Sequence, residues 1–235
     1  SPYMKDLSGI DGAQTDFGTV VRFSTENYVS NTTNIKAIDL PTNYNTSEIP
    51  GSKLTGFMGI KEHNSSVYLA PNKHSVFIRI NKSRFDDTST HAISDISAID
   101  LSNNSGTSYS GVIVDDNHSY YSPLNSGLLT RISTIDFTEN GSETLDLTSV
   151  LSLLDGFEGI TMDSSYIYLC SANKGTNSKF FIIRVDKNNF TISGVTLLSL
   201  IDVTNETTTI NTVSGFGGIT SDNYYIYIAP GVHNN

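Results

Sequence analysis

The sequence predicts an all-β chain made of four tandem repeats. The first observation is a pattern that recurs four times: an aromatic residue two before a glycine, Ile or Val after that glycine, and a tyrosine nine residues beyond it. The copies are Phe57-Met58-Gly59-Ile60 with Tyr68, Tyr109-Ser110-Gly111-Val112 with Tyr120, Phe157-Glu158-Gly159-Ile160 with Tyr168, and Phe216-Gly217-Gly218-Ile219 with Tyr227. The second is their spacing of 52, 48 and 59 residues, a supersecondary-unit period typical of repeat arrays. The third is the lack of helical periodicity. The nearest candidate, residues 145–154 (LDLTSVLSLL), carries β-branched residues and sits where the repeat places a strand and its exit.

Each repeat resolves into four short strands rich in Val, Ile, Tyr and Phe, broken by Asn, Ser, Asp or Gly. In the first complete copy these are residues 58–61, 66–70, 76–80 and 96–101. Ahead of it, after a leader over 1–16, come an unpaired third and fourth strand at 18–23 and 35–40. The last copy stops after its second strand, at 224–230. One half-unit therefore complements the other. Joining them in one sheet removes two free edges that invite aggregation. The expectation is a single domain over 1–235, with 17–56 and 216–235 forming the closing unit.

On this pattern the chain resembles the β-propeller superfamily. The resemblance implies four blades of four antiparallel strands, with the ring closed by N-terminal strands pairing with C-terminal ones. There is no Trp for a WD signature and no Kelch Gly-Gly pair in each blade. The resemblance thus concerns fold and carries over no functional residue.

The recurring residues read first as scaffold. A glycine on an inner strand permits close backbone approach, and the aromatics before it read as packing between blades. Asp115, Asp163 and Asp222, four residues after their glycines where the first copy has His63, read as hairpin-turn residues bonding nearby amides. Proline after the tyrosine ends the second strand. Arg22, Arg79, Arg131 and Arg184 sit at one repeat position inside apolar strands. A buried arginine needs a partner. The expected partners are Asp39, Asp100, Asp146 and Asp202 on the neighbouring strand, or the turn aspartates, each giving a clasp within a blade. The alternative is a ring of arginines for an anion.

Composition narrows the function. A formal charge of −10 and a pI near 4.7 speak against nucleic acid and anionic membrane as partners, and no apolar run is long enough for membrane insertion. The single cysteine, Cys170, falls at the position of Ala70, Ser122 and Ala229 and reads as a small core residue. Nine N-x-Ser/Thr sequons, at Asn31, Asn45, Asn64, Asn81, Asn103, Asn117, Asn140, Asn189 and Asn205, fit an extracellular or surface-exposed glycoprotein. No Gly-x-Ser-x-Gly elbow, His-Glu-x-x-His or phosphate loop is present, and no unique acid pair stands out for a glycosidase.

Function in this architecture is expected in loops at one end. Asn72, His74, Asn125, Asn173, Lys174 and His233 mark a candidate ligand-binding face; His74 and His233 share an offset, but no third metal ligand accompanies them. The reading is a non-catalytic protein-binding or self-assembling module without a cofactor, strand exchange between half-units being one route to assembly. Glycan binding and a glycosidase-type hydrolase stay open as alternatives.

Overall fold

The computed structural model describes residues 19–23, 35–44, 47–86, 95–103, 108–149, 156–171, 181–199, 216–222 and 224–230. Sixteen strands occur among them. β1 (Thr19–Phe23) and β2 (Ile35–Asp39) form a hairpin. Three four-stranded antiparallel sheets follow: β3 (Phe57–His63) to β6 (Ile96–Asp100), β7 (Tyr109–Val114) to β10 (Ser142–Asp146), and β11 (Phe157–Met162) to β14 (Val195–Ser199). In the first of them β4 is Ser66–Pro71 and β5 Val76–Asn81; in the second β8 is His118–Pro123 and β9 Leu128–Ser133; in the third β12 is Tyr166–Ser171 and β13 Phe181–Asp186. A last hairpin joins β15 (Phe216–Ser221) to β16 (Ile226–Pro230). The repeat units are therefore β-sheets of the expected strand order, which we call blades one to three, with a half-blade at either end.

The aromatic-x-Gly signature is a β-bulge. Pairing slips between Phe57 and Gly59, Tyr109 and Gly111, Phe157 and Gly159, and Phe216 and Gly218. One residue in each copy is left over, which kinks the inner strand and strengthens its twist. The inner strands β3, β7, β11 and β15 stand side by side in chain order, and each second strand also meets the next inner strand.

Packing is mostly between blades. Tyr68, Phe77 and Ile99 of blade one close on Tyr109, Tyr121 and Phe137 of blade two. Tyr120, Leu129 and Leu145 of blade two close on Phe157, Leu169, Ile183 and Phe190 of blade three. Phe77 meets Tyr109 and Tyr121 edge-on, at 5.0 and 4.6 Å between centroids, the favoured aromatic geometry. Because the middle blades are flanked on both faces, their second strands are buried almost continuously rather than alternately.

The β1–β2 hairpin packs on blade one, with Val20 and Ile38 against Ile78, Ile80 and Ile96. A one-turn helix, α1 (Leu40–Asn43), with Pro41 in its first turn, leads from β2 toward β3 and buries Leu40. β16 and β1 share no ladder among the described residues; each terminal hairpin stands as a two-stranded sheet. The leader over 1–16 lies outside the described residues.

Candidate functional site

Three of the four strand-one to strand-two turns are locked by an aspartate. Asp163 Oδ1 accepts the amides of Ser165 and Tyr166 at 2.7 Å, and its Oδ2 accepts the Tyr168 hydroxyl at 2.7 Å. Asp222 repeats this with the Tyr224 and Tyr225 amides and the Tyr227 hydroxyl. Asp115 holds the Asn117 and His118 amides and receives Lys187 from blade three at 3.0 Å. In blade one, where His63 replaces the acid, Asn64 takes the turn at φ 51° instead, a left-handed conformation that Asn tolerates.

Burial is the largest influence on Asp115 and Asp163 and by itself raises a carboxyl. The amides together with Lys187 at Asp115, and the Tyr168 hydroxyl together with amides at Asp163, outweigh it and hold both below the usual range. The same pairing, after burial, pushes the Tyr168 hydroxyl up to about 12. A depressed carboxyl stabilises the fold above its unfolded pKa of about 4, and this is lost as pH falls through the folded value. Melting temperature is accordingly expected to be level above about pH 5 and to fall below about pH 4. Asp163→Ala should cost about 2 kcal/mol at neutral pH through the lost hydrogen bonds and weaken the acid-dependent part of the fall. An acid limb unchanged in that variant contradicts the assignment.

The arginines do not form the clasps expected within a blade. Ladder register explains this: Arg79 lies opposite Ser97 and Arg131 opposite Glu143, whereas Asp100 lies opposite Val76 and Asp146 opposite Leu128. An offset of three residues puts the aspartate on the other face, about 10 Å along the strand. Asp100 instead meets Lys53 at 2.6 Å, and Asp146 accepts the Thr148 amide. Asp202 lies outside the described residues, and Arg22, which faces Lys36 rather than Asp39, pairs with Asp86.

The arginines join blade to blade. Arg22 lies over Phe85 of blade one at 5.4 Å, Arg79 over Phe137 of blade two at 5.0 Å, and Arg131 over Phe190 of blade three at 4.3 Å. Arg79 also donates to the Thr134 carbonyl and Arg131 to the Lys187 carbonyl, both across the same seam. Arg131 Nη2 also donates to both carboxylate oxygens of Glu143 on the neighbouring strand, each at 2.9 Å. Arg184, which has no described blade ahead of it, turns onto Tyr166 of its own blade at 4.5 Å.

The glycines form the second part of the seam. A Cβ on Gly59 would stand 2.7 Å from Gly111 Cα. One on Gly111 would meet Ile160 Cγ2 at 3.1 Å, and one on Gly159 would meet Ile219 Cγ2 at 2.8 Å. Gly59, Gly111 and Gly159 are thus slots for the next sheet, and the residues entering the last two are Ile160 and Ile219, each the isoleucine after its own glycine. The series ends unfilled: nothing among the described residues stands within 4 Å of a Cβ on Gly218, and Ile60 is 62% exposed.

One polar cleft of about 370 Å³ opens between blades one and two, lined by His63, Asn64, Tyr68, Arg79, Asp95 and Asp116 among others. It lies where the repeat breaks. At the next seam Lys187 reaches Asp115, but here Thr134 and His63 occupy those positions, leaving His63 to meet Asp116 at 3.0 Å.

The predicted ligand-binding face lies at the opposite end of the blades. There Asn72 serves the scaffold, its amide donating to Gly56 and its carbonyl accepting from Ser108 of blade two. Asn125 is exposed and His74 half-buried, while Asn173, Lys174 and His233 lie outside the described residues. Of the sequons, Asn64, Asn103, Asn117, Asn140 and Asn189 are exposed. Asn81 is half-buried and caps the Ser83 amide, and Asn31, Asn45 and Asn205 lie outside the described residues. Cys170 is fully buried, and that burial pushes its thiol up to about 11.

No protein-family model and no curated protein matches the chain. Solved structures do. A chain in the crystal structure of the nidogen/laminin complex is similar with a TM-score of 0.54 at 14% identity, over 88% of this chain and 64% of that one. The likeness is to a β-propeller and supports that fold. The present chain thus spans somewhat less than two thirds of that neighbour. Two looser likenesses are to the Kuenenia stuttgartiensis hydrazine synthase (TM-score 0.44, 11% identity, 70% of this chain and 43% of that) and to PorZ, a bacterial surface component of the type-IX secretion system of Porphyromonas gingivalis (0.35, 13%, 83% and 27%).

Proposed function

We propose that this chain is a non-catalytic, extracellular or surface-exposed propeller module that binds protein through the uncovered seams at its ends. In this reading β16 takes up a β1 edge and completes a fourth four-stranded blade. One observation carries it. The recurring tyrosine is 3%, 1% and 9% exposed at Tyr68, Tyr120 and Tyr168, but 51% exposed at Tyr227. Around it Tyr224 and Tyr225 are also exposed, and Met58 and Ile60 are exposed at the other end. Apolar surface gathered at sheet ends in this way marks an interaction site. The five exposed sequons favour the extracellular setting.

Proteins retained by the immobilised chain should be lost when Met58→Lys and Tyr227→Lys are combined, with stability lowered by no more than the lost Tyr227–Asp222 hydrogen bond. Retention that survives both substitutions contradicts the reading. The polar cleft favours a second reading, a glycan-binding site with carboxylate, amide and guanidinium groups for sugar hydroxyls. An oligosaccharide array on which nothing binds, or binding that ignores Asp116→Ala, removes it.

A further inference from the structure

We infer that the partner of the uncovered ends is a second copy of this chain, docked head to tail. The inference rests on the seam reading above and names the occupant. The two seams between complete blades are built from the same three contacts: a residue of the following blade at the glycine, the tyrosine against an aromatic of the following blade, and the arginine over that same aromatic. The tyrosine contact is seen twice, as Tyr68 on Phe137 at 6.1 Å and Tyr120 on Phe190 at 6.4 Å between centroids.

The two ends of the chain hold the missing halves of one more such seam. At the trailing end, β15–β16 is the inner half of a blade, with an open Gly218 slot and an exposed Tyr227. At the leading end, β1–β2 is the outer half of a blade, already seated on blade one with Arg22 over Phe85. No described strand stands at the inner half there, and Ile60 is exposed. Seating β15–β16 in that gap fills Gly218 with Ile60 and brings Tyr227 onto Phe85. It also sets Tyr227 opposite Arg22, the register that pairs Tyr68 with Arg79, Tyr120 with Arg131 and Tyr168 with Arg184. Every contact needed is a repeat of one already made inside the chain.

One observation favours a second copy over the chain's own other end. Within one chain the two hairpins stand as separate sheets, with Gly218 open and Ile60 exposed at once. Closure within one chain requires the last half-blade to move toward the first, whereas a second copy offers the same hairpin to the gap as it stands. Such an interface is heterologous, so copies add head to tail into an open chain or a ring of several.

The test uses the two contact positions. Gly218→Val fills the slot, where a Cβ meets none of the described residues within 4 Å; Ile60→Asp charges the exposed knob. Light scattering at rising concentration should give the native chain a mass above the single-chain 25.5 kDa and increasing. Each variant alone should stay at one chain. Mixed in equal amounts they should form pairs and stop, because each retains the end the other has lost. A native chain that stays single at every concentration overturns the inference. If the two variants then melt lower than the native chain, the seam is made within one chain and the end-seam reading survives in that form. If they melt as the native chain does, no such seam exists and both readings fall.

Discussion

Arg131→Ala is expected to destabilise the chain by about 3 kcal/mol, the upper end of the ordinary range for a single substitution. Its guanidinium lies 4.3 Å from the Phe190 ring centroid and donates to the Lys187 carbonyl and to Glu143, with its side chain 14% exposed. The substitution removes a cation–π contact of about 1 kcal/mol and leaves the Lys187 carbonyl without that donor inside the seam. In a chain of this size the melting temperature should fall by roughly 6–12 °C. Arg184→Ala is the internal control. That arginine stays on its own blade, with a 3.4 Å contact to Thr196 and the face of Tyr166. Its loss should cost less than about 1 kcal/mol in the single chain. Equal losses at the two positions contradict the role in joining blades.

Gly159→Val is expected to cost about 3 kcal/mol or prevent folding, at the upper end of overpacking effects. The first added carbon would stand 2.8 Å from Cys170 Sγ on its own blade, 2.8 Å from Ile219 Cγ2 and 3.1 Å from the Ile219 amide nitrogen on the next. One of these neighbours is backbone, so relief requires the blades to part. Gly218→Val, at the equivalent position, should leave the melting temperature of the single chain within about 0.5 kcal/mol equivalent. Urea unfolding of the two variants side by side measures the difference. A costly Gly218→Val in dilute protein would show that its slot is filled in the single chain.

The repeat, the strand order and the turn aspartates were legible in the sequence because each depends on local chemistry. Aspartate closes a hairpin with amides two and three residues on, and a glycine after an aromatic marks a bulge. The arginine partners were not legible from strand pairing, since the register places Asp100 and Asp146 three residues away on the other face. The real partner lies across the seam, and its signal is present in the sequence. An aromatic follows each arginine by six residues, at Phe85, Phe137 and Phe190, with Tyr28 at that offset from Arg22. A residue that completes the seam of the preceding blade shows itself only when the copies are compared with each other.

The same logic locates what composition could not. The cleft by His63 lies where two positions differ from the next seam, His63 standing where Asp115 does and Thr134 where Lys187 does. Neither difference is informative alone. The end surfaces likewise carry ordinary repeat residues, Ile60, Gly218 and Tyr227, and differ from their counterparts only in what covers them. Function here is expected where regularity stops.

The most direct measurement is amide hydrogen exchange of β1 and β16 as a function of protein concentration. If the ends mate, amides in both strands should gain protection together as concentration rises, in step with Ile60 and Tyr227 losing access to solvent. Strands that exchange as free edges at every concentration, while β4, β8 and β12 remain protected, would contradict the account.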